Sequence, residues 1–462
     1  MSDANVIAPG LERLWIRDPL VLFDPVHEEQ DASRGLVVAG GRIVERVAAG
    51  STPRCDRILD AGDLVLLPGL INTHHHFYQT LTRAFRHALD KPLFPWLQSL
   101  YPVWQGLTPS MIEVSTEVAL TELLLSGCTT SVDHHYVFNQ QIPDAIDRQC
   151  VAAERVGIRV VLTRGSMCLG QSAGGLPPDS VVETHDAILR DSERLINSRH
   201  DPGEAALCQI ALAPCSPFSV TPELMRDTAV LASQTGTLLH THLAETMDEN
   251  RFCEEKFGRR PLDLLEEAGW LGGATWLAHG IHFRPDEISR LAAAGTAISH
   301  CPSSNMILGS GICAVAELEA AGVVVGLGVD GSASNDASNL VQEARQALLL
   351  ARLNSGSTTM ASHRDVLRMA TVAGARLLHR PQLGHLGVGA LADLALFDLN
   401  ELRFSGSDDP LAALLLCGAY RARHVMVAGE WRVVDGEIRD RDIAELGSRH
   451  RQLARALLLA NS

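Results

Sequence analysis

The stretch Leu70-Ile-Asn-Thr-His-His-His76 ends an apolar, strand-like run with three histidines. Alternate residues of a strand point to the same side, so His74 and His76 can face one metal ion while His75 faces away. Three imidazoles and one carboxylate suit Zn²⁺ or a neighbouring divalent transition metal. Three later segments supply the rest of that set in the same way, each ending an apolar run: Thr237-Leu-Leu-His-Thr-His242, Trp276-Leu-Ala-His279 and Gly326-Leu-Gly-Val-Asp330.

The middle of the chain alternates apolar strand candidates with amphipathic stretches. Eight alternating units predict an α/β fold of the (β/α)8 TIM barrel type. In such barrels the chemistry lies at the C-terminal ends of the strands, which is where the four metal-binding segments end. The eight candidates begin near Leu67, Thr129, Ile158, Leu207, Thr237, Thr275, Thr296 and Val323.

Both ends of the chain are rich in short strand candidates. Residues 11–68 contain several, with Gly40-Gly41 marking a hairpin, and the pattern returns at residues 393–398 and 424–434. We therefore expect a small β-sandwich domain built from both termini, residues 1–67 and 385–462. It would flank a metal-dependent hydrolase barrel at residues 68–384.

Composition narrows the class of protein and its partners. The chain has 462 residues, is 46 % apolar and carries a formal charge of −16, which argues against nucleic acid and anionic membranes as partners. Its ten cysteines form no C-x-x-C pair, so neither a thiolate zinc site nor a disulfide framework is indicated. Residues 1–10 show no secretory signal, and no apolar run is long enough to span a bilayer. These features predict a cytoplasmic protein.

Lysine is scarce. The two lysines, Lys91 and Lys256, both lie outside strand-like segments. Many barrel hydrolases with two metals bridge them with a carbamylated lysine on a strand, so this sequence disfavours that kind of centre. Schiff-base chemistry, which needs a buried lysine, is disfavoured for the same reason.

Glu245 follows His242 by three residues, just beyond the strand. A carboxylate there can exchange a proton with a metal-bound water without being a ligand. The competing interpretation is an acidic residue at the N-terminus of a surface helix. A histidine within an apolar segment is more often a hydrogen-bonded core residue than a ligand, and this alternative stays open for His75, His134, His135 and His240.

Two long segments leave the predicted catalytic rim. Residues 77–107 carry Gln79, Trp96 and Trp104, and residues 165–178 are rich in Gly and Ser. Long loops in a compact barrel are usually functional, so we expect them to contribute to a substrate site rather than only to cover the surface.

Taken together, these motifs resemble the amidohydrolase superfamily, and more narrowly its mononuclear aminohydrolase branch of purine and pyrimidine deaminases and triazine hydrolases. The resemblance covers nearly the whole chain, including Gly387-x-Gly389-x-Leu-Ala-Asp393. The run His74-His-His-Phe-Tyr-Gln-Thr-Leu-Thr-Arg83 is most similar to bacterial 8-oxoguanine deaminases. The other matching motifs are Pro68-Gly-Leu-Ile-Asn, His242-Leu-Ala-Glu245, Leu277-Ala-His-Gly280, Ser299-His-Cys-Pro-Ser-Ser-Asn305 and Val329-Asp-Gly-Ser-Ala-Ser-Asn335.

The resemblance implies a role for each matching residue. Glu245 would be the proton shuttle, Asp330 would also accept a proton from water, and His279 would polarise the attacking water or the leaving group. One Zn²⁺ per chain is implied, although Fe²⁺ accepts the same ligands. The implied metal ligands are His74, His76, His242 and Asp330.

Substrate contacts are implied less directly. Gln79 matches the position at which guanine deaminases hold the purine edge, and Trp104 lies in the same segment. The arginine that guanine deaminases place after the fourth strand is missing, since that segment reads Ala213-Pro-Cys-Ser-Pro217. We expect Arg164, at the end of the third strand, to supply the cation instead, and His135 is a further candidate.

The implied activity is hydrolytic deamination of a small purine-like or pyrimidine-like ring, most specifically 8-oxoguanine to urate and ammonia. Guanine, isocytosine and a hydroxy-triazine are alternative substrates. A barrel that lost catalysis and acts as a scaffold is the alternative from another class, and the complete ligand set argues against it. We also expect a homo-oligomer, because barrel enzymes often associate through exposed helices.

Overall fold

A computed structural model describes residues 11–460 of the chain, and the segment for which no secretory signal is predicted, residues 1–10, lies outside this range. The predicted hairpin at Gly40-Gly41 is present: both glycines have positive φ, and the strands on either side pair antiparallel. Six strands precede the barrel: β1 (Leu14–Arg17), β2 (Val21–Leu22), β3 (Gly35–Ala39), β4 (Arg42–Arg46), β5 (Arg57–Asp60) and β6 (Leu64–Pro68).

Eight parallel strands then close a barrel in chain order, which confirms the predicted fold class. The first barrel strand begins at Leu70 rather than near Leu67, because the residues before it pair with the small sheet instead. The barrel strands are β7 (Leu70–Asn72), β8 (Cys128–His135), β9 (Arg159–Ser166), β10 (Cys208–Pro214), β11 (Leu239–Leu243), β12 (Thr275–His279), β13 (Ala297–His300) and β14 (Val325–Leu327).

The helices around the barrel begin and end at recognisable signals. Thr221, Thr246 and Asn339 each accept a backbone hydrogen bond as N-caps, and glycines in the left-handed region, such as Gly157 and Gly236, end helices. Within residues 11–460 no helix is long and apolar enough to cross a membrane. The helices are α1 (Leu93–Trp104), α2 (Pro109–Leu125), α3 (Ala145–Val156), α4 (His185–Arg199), α5 (Pro222–Thr235), α6 (Met247–Phe257), α7 (Pro261–Glu267), α8 (Pro285–Ala294), α9 (Pro302–Ile307), α10 (Val315–Ala321), α11 (Leu340–Ser355), α12 (His363–Arg368), α13 (Gly374–Leu377), α14 (Pro410–Leu416) and α15 (Ile443–Leu459).

The chain ends return to the small sheets. After β15 (Leu394–Asp398) come β16 (His424–Val427), β17 (Glu430–Val434) and β18 (Glu437–Ile438), which join β6 and β2 in a six-stranded sheet. A four-stranded sheet of β4, β3, β1 and β5 packs on it through one shared apolar cluster. Strands from both termini therefore build one sandwich. The division at residues 67/68 and 384/385 stays our proposal for the domain boundaries.

A buried ion pair joins the barrel to this sandwich. Arg159 of β9 donates from Nε and Nη2 to the two carboxylate oxygens of Asp393, over 2.8 and 3.1 Å, and both side chains are buried. One of the same oxygens accepts the backbone N–H of Ala428. Asp393 thus satisfies groups from the barrel and from the C-terminal strands at once.

Asp393→Ala should lower the free energy of unfolding by about 3–5 kcal/mol, because it leaves the Arg159 guanidinium buried without a counter-charge. Urea denaturation of the purified variant measures this. The matched control is Asp60→Ala, which removes a mostly exposed partner of Arg17 and should cost less than about 1 kcal/mol. Equal losses in the two variants would contradict the interpretation.

Candidate metal centre

Four strand ends bring five ionisable side chains into one buried cluster. Asp330 Oδ1 lies 3.3 Å from Nε2 of His74 and 3.2 Å from Nε2 of His76. Nε2 of His76 lies 3.1 Å from Nε2 of His242. His279 Nε2 lies 3.8 Å from the other oxygen of Asp330. The predicted set therefore converges as the strand alternation indicates.

Each of the three closest imidazoles has its other nitrogen engaged. His76 Nδ1 lies 2.6 Å from the carbonyl oxygen of His134, and His242 Nδ1 lies 2.7 Å from that of Cys215. His74 Nδ1 lies 2.8 Å from Nε2 of His240. A carbonyl can only accept, so the proton of His76 and of His242 is on Nδ1, and their Nε2 lone pairs face the cluster.

His240 extends the same logic by one step. Its Nδ1 lies 2.9 Å from the carbonyl oxygen of Trp276, so Nδ1 carries the proton and Nε2 accepts from His74. His74 then has its proton on Nδ1 as well, and its buried Nε2 has no hydrogen-bond partner. His240 therefore has the hydrogen-bonded core position that the sequence analysis leaves open for it, and it supports His74 from behind.

The charge state of the cluster suits a cation. Burial lowers the pKa of His74 and His242 well below the ordinary value, which keeps both imidazoles neutral. Two unprotonated nitrogens only 3.1 Å apart repel each other unless a cation lies between them. The donor set of three nitrogens and a carboxylate fits Zn²⁺.

The backbone at the rim adopts conformations that side chains usually avoid. His279 has φ +72°, Asp330 has φ +62° and Ala244, just before Glu245, has φ +53°. Such conformations cost about 1–3 kcal/mol each and persist only where the surroundings enforce them. The strain coincides with the residues for which the sequence predicts chemistry.

Two buried carboxylates that the sequence analysis did not select hold these strained turns. Glu249 accepts the backbone N–H groups of Ala244 and Glu245 over 3.0 and 2.9 Å. Glu343 accepts from Ser303 and from Asn335 on the segment after Asp330. Burial raises the pKa of Glu249 to about 7 and that of Glu343 to about 8. Glu249 lies in the first turn of α6, soon after the end of β11. An acidic residue at that position is the sequence signal that could have identified it.

Glu245 lies beside the cluster without joining its closest contacts. One of its carboxylate oxygens lies 3.6 Å from Nε2 of His279. Burial and the nearby Asp330 carboxylate raise the pKa of Glu245 to about 8. Nδ1 of His279 lies 2.9 Å from Oδ1 of Asn305, which fixes the ring orientation. The arrangement gives one carboxyl group and one imidazole on the same side of the cluster.

A small cavity opens from the cluster toward the rim. Gln79 lines it, and α1 contributes one apolar wall through Leu93, Leu97 and Tyr101, which are spaced four residues apart. Among the described residues that line the cavity, none is an arginine or a lysine. The remaining lining residues are His76, Trp96, Tyr136, Cys215, Phe218, His242, Glu245, His279, Leu308, Asp330 and Ser334.

Three predicted contacts lie outside the residues that line this cavity. Trp104 is fully buried behind the wall, where its Nε1 donates to Thr82. Arg164 directs its guanidinium to Glu183 and Asp191. His135 packs against aromatic rings. Trp104 shares the helix face of Leu97 and Tyr101 but is the last residue of α1, so the helical period alone does not separate it from the lining residues.

Comparison with known proteins identifies the family. A model of the amidohydrolase family matches residues 65–432. The chain is a member of the amidohydrolase family. The resemblance inferred from the motifs is thereby confirmed. A family member named 8-oxoguanine deaminase, from Pseudomonas aeruginosa, is 58 % identical over 97 % of this chain and 100 % of its own length.

Other amidohydrolases are also similar. The hydroxydechloroatrazine ethylaminohydrolase of Pseudomonas sp. strain ADP is 41 % identical over 76 % of this chain and 74 % of its own length. A triazine hydrolase from Arthrobacter aurescens superposes with a TM-score of 0.91 and 32 % identity over 96 % of this chain and 99 % of that one. A zinc complex of atrazine chlorohydrolase from the same organism gives a TM-score of 0.90 and 31 % identity over 96 % and 100 %. The two solved structures share the fold of this chain over nearly its whole length.

His240→Ala should weaken Zn²⁺ binding about 10–100-fold, because His74 would lose the group that accepts its Nδ1 proton. Competition between the protein and a zinc chelator measures this affinity. His87→Ala, at an exposed histidine outside the cluster, is the matched control and should bind zinc as the wild type does. Unchanged affinity in His240→Ala would refute the relay from Trp276 through His240 to His74.

Proposed function

We propose that this amidohydrolase removes an exocyclic amino group from a neutral purine-like ring by hydrolysis, and that 8-oxoguanine is its substrate, giving urate and ammonia. The observation that carries the proposal is the cavity, which joins a nitrogen and carboxylate cluster to a wall of aromatic and aliphatic side chains. The relative that is 58 % identical over nearly the whole chain narrows the substrate to 8-oxoguanine.

We propose one Zn²⁺ per chain, held by His74, His76, His242 and Asp330. Zinc complexes among the similar structures support this metal over Fe²⁺. When bound, the ion lowers the pKa of a water molecule toward neutrality and so supplies a nucleophile near pH 7. All other steps fall to side chains of this chain.

Glu245 is proposed to move the proton. Its buried carboxyl group faces the cavity, where it can deliver a proton to the ring nitrogen next to the attacked carbon. Asp330 accepts one proton of the attacking water and passes it to the departing amine, and the second proton of that water restores the carboxyl group of Glu245. Because Nδ1 of His279 is held by Asn305, its Nε2 is free to accept a hydrogen bond from that water and orient it.

The cavity indicates the kind of substrate. Its described lining contains no arginine or lysine, so a phosphate or carboxylate group on the substrate would have no counter-charge there. Trp96, Tyr101 and Phe218 offer flat apolar surface to a planar ring. The amide of Gln79 is proposed to hydrogen-bond the ring edge. A Cβ at Gly331 would lie 1.9 Å from Gln79 Oε1, so the glycine after Asp330 makes room for this amide.

A hydroxy-triazine is the second candidate substrate. It is favoured by the 41 % identity to the hydroxydechloroatrazine ethylaminohydrolase, about three quarters of whose length is covered by this chain. A triazine is also a neutral planar ring with exocyclic amines, so the same cavity suits it. The two candidates differ in ring number.

Partners follow from charge and site. We propose a small molecule as the only reactant besides water, because the net charge of −16 repels nucleic acid and anionic lipid surfaces. A homo-oligomer in the cytoplasm stays a prediction from the sequence.

The substrate proposal predicts the order of activity on a panel of 8-oxoguanine, guanine, isocytosine and hydroxyatrazine. Purified, zinc-loaded protein should release ammonia with the highest kcat/KM from 8-oxoguanine. A higher value for hydroxyatrazine would transfer the proposal to the triazine candidate. If none of the four compounds releases ammonia while one zinc per chain is tightly bound, the proposed metal site would stand and the proposed substrate would be wrong.

Glu245→Gln should keep one zinc per chain and lower kcat about 10²–10⁴-fold, because the amide cannot carry a proton. Metal analysis and ammonia release on the same preparation measure both effects. Glu255→Gln, at an exposed carboxylate on α6, is the matched control and should retain wild-type kcat. A Glu245→Gln variant with near wild-type kcat would refute the proton-shuttle role.

A further inference from the structure

A second cavity of about 230 Å³ lies outside the barrel, between α10, α11 and α12. Its inner part is formed by buried side chains, among them Ala347, Leu350 and Met369. The half-buried Ala351 continues this apolar wall outward. This volume is a little below the usual range of drug-sized ligand sites, about 300–1,000 Å³, so it suits only a small ligand. Nothing in the proposed deamination uses this cavity.

The mouth of this outer cavity is acidic. Glu317 and Glu319 of α10 and Asp365 of α12 line it and are exposed. Neither Glu317 nor Glu319 has an ion-pair partner within 4.0 Å among the described residues. No arginine or lysine of residues 11–460 lines the cavity. The electrostatic field at the mouth therefore favours a cation.

A polar side chain lies at the inner end. His300, the last residue of β13, lines the cavity, is only 2 % exposed, and has a buried Nδ1 without a hydrogen-bond partner. The preceding residue, Ser299, hydrogen-bonds Thr73, which directly follows β7. By strand alternation His300 therefore faces the opposite side, toward the helices. Burial lowers the pKa of His300 to about 3, which keeps the imidazole neutral and adds no positive charge to the cavity.

From these observations we infer that the outer cavity binds a small hydrophobic amine that carries a hydrogen-bonding group at its apolar end. The ammonium group is held by Glu317 and Glu319 at the mouth, the apolar body packs against α11, and the far polar group bonds His300. A carboxylate or phosphate ligand is excluded by the acidic mouth. Occupation at this site is independent of the metal cluster.

The test uses three probes that differ by one group each: tyramine, phenethylamine without the phenol, and 4-ethylphenol without the amine. Calorimetric titration of zinc-loaded, full-length protein should show one tyramine per chain. Phenethylamine should bind about fivefold more weakly, the value of one hydrogen bond to a neutral partner. 4-Ethylphenol should also bind about fivefold more weakly, as expected for loss of an exposed ion pair.

Variants place the binding in this cavity. Ala351→Trp fills the apolar wall and should abolish tyramine binding, while ammonia release stays at the wild-type rate. Ala320→Trp, at an exposed alanine of α10 that does not line the cavity, is the matched control and should bind tyramine normally. Glu319→Gln should weaken tyramine about threefold. Glu245→Gln should leave tyramine binding intact, which separates this cavity from the metal centre.

Several results would overturn the inference. Equal affinity for the three probes would show non-specific apolar binding. Unchanged tyramine binding in Ala351→Trp would place the amine elsewhere. Absence of binding at millimolar tyramine, together with an altered oligomeric state of Ala351→Trp in sedimentation, would show that a second copy of the chain covers this face.

Discussion

The metal cluster depends on where three imidazoles keep their protons. Backbone carbonyls of the barrel accept hydrogen bonds from Nδ1 of His76 and of His242. For His74 the arrangement has one more step: its Nδ1 donates to His240, and His240 donates to the carbonyl oxygen of Trp276. Each carbonyl belongs to a barrel strand or the residue just after one, so strand register sets the side-chain tautomer. A closed barrel is therefore the condition for three Nε2 lone pairs to meet, and an open sheet with the same residues would not fix them.

The convergence of these groups has a cost that other residues offset. Positive φ at His279 and Asp330 and burial of several like-charged groups both disfavour the folded site on their own. Glu249 and Glu343 offset part of this cost by accepting the backbone and side-chain donors of the strained turns. These two carboxylates are buried for structural reasons, although their altered pKa values resemble those of catalytic groups.

The sequence predicts the barrel and the convergence of the strand-end side chains well because both rest on short-range rules. The period of a strand places His74 and His76 on one side, and parallel strands bring their ends to one rim. The cavity wall was beyond those rules. Trp96 lines the cavity while Trp104 lies behind it, and this difference arises from how α1 seats on the barrel. The sequence analysis describes residues 77–107 as a long loop, but part of this segment is α1. The packing of that helix decides that Trp96, and not Trp104, lines the cavity.

Arg164 shows the same limit at a charged residue. Its position at the end of the third strand indicated a substrate contact, but pairing with Glu183 and Asp191 from the loop after β9 and from α4 is a tertiary feature that the strand pattern does not contain. With both partners in place, a guanidinium at that depth is neutralised without a ligand. The absence of a cation among the described cavity residues is then consistent with a neutral ring.

The helix that follows the strands of the small sandwich contacts the segment beside the site. His450 of α15, at the end of the chain, contacts Thr80 through Nε2 over 3.1 Å. Thr80 directly follows Gln79, whose amide lines the cavity, and lies four residues after His76. The C-terminal helix thus packs on the short segment that joins the metal cluster to the substrate wall. Because that segment is only a short 3-10 helix, Phe77–Thr82, contacts from the far end of the chain help to hold Gln79 in position.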